Sequence, residues 1–155
     1  METTAILPIG RVHSTRKAPQ DDHWDREQVF IELDSTQFNS ESLAGLDDFS
    51  HAEILFLMDQ VDPTRIESSA RHPRNNPDWP KVGIFAQRGK NRPNRIGLTR
   101  CRILKIEGTR LFVSGLDAID GSPVLDIKPW VSEFAPRGEV HQPKWITELM
   151  AEYWD

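Results

Sequence analysis

Cysteine is almost absent: Cys101 is the only one in 155 residues. A lone thiol closes no internal disulfide and builds no four-cysteine zinc site, which fits a reducing compartment. Long apolar runs are missing too. The opening stretch, METTAILPIG, carries an acid at position 2 and no basic segment, so it fits neither a secretion signal nor a membrane span. A cytoplasmic protein without membrane association is expected. There is no repeat, no GxSxG, no HExxH, no P-loop lysine motif and no GxGxxG opening a helix. The five histidines (His13, His23, His51, His72, His141) never share an element at ligand spacing, so no metal site is expected. His51 reads as a hydrogen-bonded structural residue at a strand start.

What is present is a globular composition, 37% hydrophobic and 28% charged, in a length that suits one domain over residues 1–155. The net charge of -5 conceals an asymmetry. Between Arg65 and Lys105 stand eleven Lys and Arg against two acids, a local +9. The remainder holds eight bases and 22 acids, or -14. A basic centre in an acidic chain suits an anion such as nucleic acid or phosphate. It equally suits solvated arginines paired with acids elsewhere.

Strand signals dominate. Ala5–Ser14 reads as a first strand entered through Pro8, and Arg16–Glu27 as a polar loop. Gln28–Asp34 alternates Val29, Ile31 and Leu33, a strand with one buried face. Ser40–Ser50 suits a short helical turn, capped by Ser40 or Ser42 and ended at Gly45. His51–Val61 is a continuous apolar run, read as a buried strand. Asp62–Pro80 holds four prolines, and a loop that long marks a functional lid or disorder. Lys81–Gln87 is a short strand and Arg88–Arg95 a basic turn. Ile96–Gly108 and Thr109–Ile119 make a hairpin about Glu107-Gly108-Thr109, and Ser122–Trp130 is the last strand. In Pro143–Asp155, Trp145, Ile146, Leu149, Met150, Tyr153 and Trp154 recur at helical spacing. That helix can dock on its own domain, and its Trp and Tyr also suit a subunit contact. Many strands without strand–helix alternation give a mainly β barrel or sandwich.

Short polar clusters stand at the strand ends, where sites concentrate. They are Ala18–Asp22, Phe49–His51 with Met58–Gln60, Phe85–Leu98, and Gly115–Trp130. In the third, Arg88, Arg92 and Arg95 surround Gly89, Pro93 and Gly97, and Asn94 can make an Asx turn. Converging guanidiniums match carboxylate or phosphate; a plain basic hairpin is the bland alternative. Arg71, Arg74, Arg92 and Asn94 are the candidate contacts to an anionic substrate. In the last cluster Asp120-Gly121 is a hairpin signal, whereas Asp117 has no turn to make. Its carboxylate serves either buried backbone amides or a ligand.

The stretches PIGRVHS, FSHAEILF, GIFAQRGKNRPNRIGLT and GLDAIDGSPVLDIKPW resemble, in order, the TsaA-like S-adenosylmethionine-dependent tRNA methyltransferase family. The resemblance implies a single-sheeted β-barrel that dimerises and binds S-adenosylmethionine near the subunit interface. It implies methylation of the exocyclic amino group of a threonylcarbamoyl-modified adenosine beside the anticodon of tRNA. By motif, the cofactor contacts are Ala18, Pro19, Gln20, Asp59, Gln60, Arg88, Leu98, Asp117, Ala118, Ile119 and Asp120. Asp59 stands where members like the bacterial tRNA enzyme have His and is the candidate acceptor of the amine proton. Gln87 replaces Thr and Arg95 replaces Pro, and no counterpart of that enzyme's further C-terminal domain is expected. The alternatives are methylation of a small molecule, or a cofactor- or RNA-binding barrel without turnover.

Overall fold

The computed structural model describes residues 1–155, in which eight strands form. They are β1 (Gly10–Ser14), β2 (Val29–Leu33), β3 (His51–Leu57), β4 (Ala70–Arg71), β5 (Val82–Gly83), β6 (Ile96–Glu107), β7 (Arg110–Ser114) and β8 (Pro123–Pro129). Six of them close a barrel in the order β1-β2-β7-β6-β3-β8, every pairing antiparallel, while β4 and β5 pair apart from it. The mainly β, single-sheeted barrel expected from the sequence is the fold observed.

Alternation builds the core. Val29, Ile31 and Leu33 of β2 point inward, with Val12 of β1, Leu111 and Val113 of β7 and Val124 of β8. Burial of these apolar faces drives the closure. Along β3 the continuous apolar run is buried on one face only: Ala52, Ile54 and Phe56 are inside, and Leu55 and Leu57 are half-buried outside. A barrel strand has one inner face, so the reading of β3 as buried on both sides is corrected.

Other boundaries move for local reasons. The first strand starts at Gly10 instead of Ala5, since Pro8 cannot donate to the ladder. The cap of the turn at Ser40–Leu43 is Asn39, whose side chain accepts from the Glu41 amide at 2.9 Å, and neither Ser40 nor Ser42. Gly45 does end that turn, at φ 81. Of Lys81–Gln87 only Val82–Gly83 is strand, followed by a 3-10 turn at Ile84–Ala86. Its partner Ala70–Arg71 lies inside the long proline-rich segment, otherwise turns and irregular backbone. The hairpin between β6 and β7 is where expected, turning through Gly108 at φ 61. Asp120-Gly121 does turn the chain, with Gly121 at φ 82, but makes no hairpin, because β8 pairs with β1 and β3.

Helical spacing over Pro143–Asp155 yields only α1 (Lys144–Leu149). The residues beyond it leave the helix because their carbonyls accept hydrogen bonds from the chain at His23–Asp25. A helix interior would spend those carbonyls internally.

Closure is tight at Gly97, paired with Phe56. A Cβ there would lie 2.4 Å from the Phe56 ring, which is 3% exposed and has no room to swing. Gly97→Ala should therefore cost about 1–3 kcal/mol by overpacking. A thermal melt should show a fall of several degrees, and an unchanged melting temperature would contradict this packing.

Candidate functional site

The start of β6 ties together segments far apart in the sequence. Just before the strand, Arg95 donates to the carbonyls of Asp59 (3.3 Å) and Val61 (3.2 Å) and so fixes the turn after β3. Arg88 donates to the Leu98 carbonyl at 2.6 Å. Buried Thr99 donates its hydroxyl to the Asp117 carboxylate. Three of the expected clusters therefore meet on one strand end.

Asp117 is held from the other side by the C-terminal tail. Tyr153 donates its hydroxyl to the second carboxylate oxygen. Burial, then the neighbouring Asp117 charge, pushes the Tyr153 phenol far up, so it stays a donor at any physiological pH. The tail is fastened by backbone: the amides of His23, Trp24 and Asp25 donate to the carbonyls of Glu152 (3.0 Å), Tyr153 (3.0 Å) and Trp154 (3.1 Å). The Trp79 indole adds a bond to Glu148 at 3.0 Å, which joins the proline-rich segment to α1. Cys101, beside Asp117, is fully buried and its thiol is pushed well up by that burial, so it is no nucleophile.

The loop after β1 is organised by Arg16, a charged residue only 8% exposed. Its guanidinium lies 3.9 Å from the centre of the Trp24 ring and 2.8 Å from Glu27. It also donates to the carbonyls of Gln20 (3.1 Å), Asp22 (2.9 Å) and His23 (2.9 Å). Around that centre Ala18, Pro19 and Gln20 form an exposed rim. Asp120 is tied into the same loop. It accepts from the Ser14 amide (3.0 Å) and Lys17 (2.6 Å), and its own amide donates to the Arg16 carbonyl (2.8 Å). Lys17, then the Ser14 amide, holds its carboxyl below the usual carboxylate range. Asp120 thus positions the Ala18–Gln20 rim, whereas Asp117 stands at the site's edge.

Between these two aspartates the backbone is unusual. The amides of Asp117, Ala118 and Ile119 donate to no acceptor in the chain, although Ala118 is only 1% exposed. Buried donors are paired in nearly all proteins, so this row suits an external acceptor edge. Shape alone would have pointed elsewhere. A cavity of about 350 Å³, bounded by Phe38, Leu43, Leu46 and Phe49, is apolar and carries no titratable group.

The expected substrate contacts fare differently. Arg74 forks onto Asp22 at 2.9 and 2.7 Å, and so is spent on holding the loop. Arg92 donates to the Gln87 carbonyl at 2.7 Å, while Gln87, buried, braces Arg71 and Val82 through their carbonyls. Arg71 is half-buried with its Nε unpartnered, and Asn94 is exposed at φ 62. Asp59 and Gln60 are exposed. Asp126 bonds its neighbour's amide and Lys128, away from the site. Arg16, Thr99 and Tyr153 escaped the sequence reading. The only hint of Arg16 was a charge pair bracketing a polar loop.

Residues 11–135 match the model of the tRNA-methyltransferase O N-terminal domain. The chain belongs to that family. It is 41% identical over 102 residues to the tRNA (adenine(37)-N6)-methyltransferase of Homo sapiens, covering 66% of this chain and 23% of that protein. It is 33% identical to a "Probable S-adenosyl-L-methionine-binding protein" of Methanothermobacter thermautotrophicus, covering 86% of this chain and 94% of the relative. A TrmO crystal structure from P. aeruginosa superposes with a TM-score of 0.72 at 29% identity, over 94% of this chain and 62% of that one. The chain spans only 21 to 33% of the length of the mammalian methyltransferases it matches. No helix is long and apolar enough to cross a membrane, and no cluster of three His, Cys, Asp or Glu could hold a metal ion.

Two outcomes follow from this geometry. Arg74 holds the Asp22 carboxyl below its ordinary value of 3.8. The pair's stabilisation is therefore complete above that value and vanishes as pH falls through the lower folded one. Arg74→Ala should cost about 1–2 kcal/mol at pH 7 and much less near pH 2, measured by urea unfolding; an equal loss at both would contradict the pairing. Tyr153→Phe keeps the ring but removes the donor to Asp117. It should weaken S-adenosylmethionine binding by roughly five- to tenfold with little change in melting temperature, and unaltered affinity would remove Tyr153 from the site.

Proposed function

We propose that this chain binds S-adenosylmethionine at Asp117 and transfers its methyl group to the exocyclic amine of an adenosine in tRNA. The substrate we favour is the threonylcarbamoyl-modified residue beside the anticodon. The observation that carries the reading is the unpaired row of amides at Asp117, Ala118 and Ile119, joined through Asp120 to the loop that carries the exposed Ala18–Gln20 rim. Those amides suit the acceptor edge of an adenine. The Asp117 oxygens, each bonded to one hydroxyl, keep lone pairs for ribose hydroxyls or an ammonium. Arg88, exposed and bonded only to the Leu98 carbonyl, suits a carboxylate. Gln60 and Leu98, both exposed, suit further contacts to the cofactor.

When bound, S-adenosylmethionine supplies an electrophilic methyl on a sulfonium: the S–C bond breaks as the N–C bond forms, and the amine loses a proton. The chain's part is alignment, which is worth up to about 7–11 kcal/mol of the barrier in well-oriented systems. Asp59 is exposed, and its side chain makes no hydrogen bond or ion pair in the chain. The Arg95 guanidinium holds its backbone carbonyl, and an exposed carboxylate there suits the acceptor role for the amine proton.

The barrel and its tail act as one unit over residues 1–155, in the cytoplasm where tRNA is modified. A second copy is the natural cover for the outward face beside Leu98. Ile96 and Leu98, which alternate outward along β6, are 37 and 40% exposed there. The tail, fastened to its own chain, contributes less to that contact than its tryptophans suggested.

Incubation with methyl-labelled S-adenosylmethionine and either tRNA or a metabolite extract tests the activity. Label should enter tRNA, and Asp117→Ala should lose at least tenfold in cofactor affinity. Label in the metabolite fraction alone would overturn the tRNA substrate. No label anywhere, with binding intact, would leave a non-catalytic binding barrel.

A further inference from the structure

Eleven Lys and Arg crowd the segment from Arg65 to Lys105, yet the fold has committed most of them. Arg74 is taken by Asp22, Arg100 pairs with Glu53 at 2.8 Å, and Lys105 pairs with Glu107 at 2.7 Å. Arg88, Arg92 and Arg95 donate to backbone carbonyls. Arg102 is exposed and uncommitted, and it faces a shallow cavity of about 230 Å³.

That cavity is lined by Gly115 and Trp154, close in sequence to Asp117 and Tyr153 of the proposed cofactor site. Leu98, Arg100 and Arg102 alternate along the outward face of β6, so the two guanidinium stems are about 6.8 Å apart. Across the sheet Arg102 stands between His51 of β3 and Ser114 of β7. The His51 ring is fixed by its Nδ1 contact to Ser50 at 2.7 Å, which leaves Nε2 free for the cavity. The opposite wall is Trp154, 36% exposed, with Asp25, whose amide is bonded to the Trp154 carbonyl. The tail is thus a shared partition. Tyr153 faces Asp117, and Trp154, 5.0 Å from it and edge-on at 85°, lines the cavity.

We propose that this cavity is a nucleotide subsite for the RNA strand flanking the methylated residue. Arg102 takes a backbone phosphate; Trp154 stacks a base; Asp25 accepts from the amine or imino edge of that base. The inference rests on the RNA reading above. Asp25 decides between ligand classes. A free phosphate or sulfate would meet a carboxylate in its own site, whereas a nucleotide presents an anionic backbone and N–H donors together. Single-stranded loops are recognised in this way, by cationic contacts to the backbone and aromatic stacking of splayed bases.

The test is binding of a synthetic anticodon stem–loop RNA over a range of salt concentrations, with cofactor affinity measured in parallel. Arg102→Ala should lower the salt slope by about 0.7–0.9 and leave S-adenosylmethionine affinity within twofold. Trp154→Ala should weaken RNA binding about fivefold to a hundredfold at an unchanged slope, and Trp154→Phe should recover most of that loss. RNA binding by the unaltered protein that is the same in Arg102→Ala overturns the subsite alone. Absence of RNA binding in the unaltered protein, with cofactor binding intact, overturns the RNA reading and the subsite together.

Discussion

A carboxylate at the mouth of an apolar barrel needs donors, and Asp117 finds them in two hydroxyls from opposite ends of the chain's architecture. Thr99 comes from the barrel wall and Tyr153 from the tail. The rest of the site hangs on this junction. The tail that delivers Tyr153 lies along His23–Asp25, so the loop carrying the Ala18–Gln20 rim cannot drift from Asp117. Arg16, buried against Trp24, locks that loop internally. Removing a partner from such a network costs more than one hydrogen bond, since it strands polar groups away from water.

The fold was legible where burial and alternation coincide. Val29, Ile31 and Leu33 announce β2, and the turn at Glu107-Gly108-Thr109 announces the longest hairpin. Reading failed where side-chain spacing competes with backbone needs. Trp145 through Trp154 keep helical spacing, yet the carbonyls of residues 152–154 are required by another loop, so the helix stops at Leu149. The run at His51–Val61 looked buried throughout because its outer face, Leu55 and Leu57, is itself apolar. Of the candidate site, the motif residues came together on one barrel end, but the pairings that set it were hidden by distance along the chain. Thr99 and Asp117 are 18 residues apart, and Tyr153 and Asp117 are 36. No local pattern records such contacts.

Charge shows the same limit. Counting the bases between Arg65 and Lys105 finds an excess of +9. It does not tell which guanidiniums the fold consumes. Arg74 is absorbed by Asp22 and Arg95 by two carbonyls, whereas Arg102 keeps its fork free. An anion would meet the residual field of the uncommitted cations, smaller and more localised than the formal excess.

The most direct measurement is a crystal structure with bound S-adenosylhomocysteine, the product left when the methyl group has gone. The ligand should place hydroxyl or ammonium groups on the Asp117 carboxylate. An acceptor edge should lie on the amides of Asp117, Ala118 and Ile119, with the Ala18–Gln20 rim closing over it. A ligand seated in the apolar cavity of Phe38, Leu43 and Phe49, or bound without touching Asp117, would contradict that assignment.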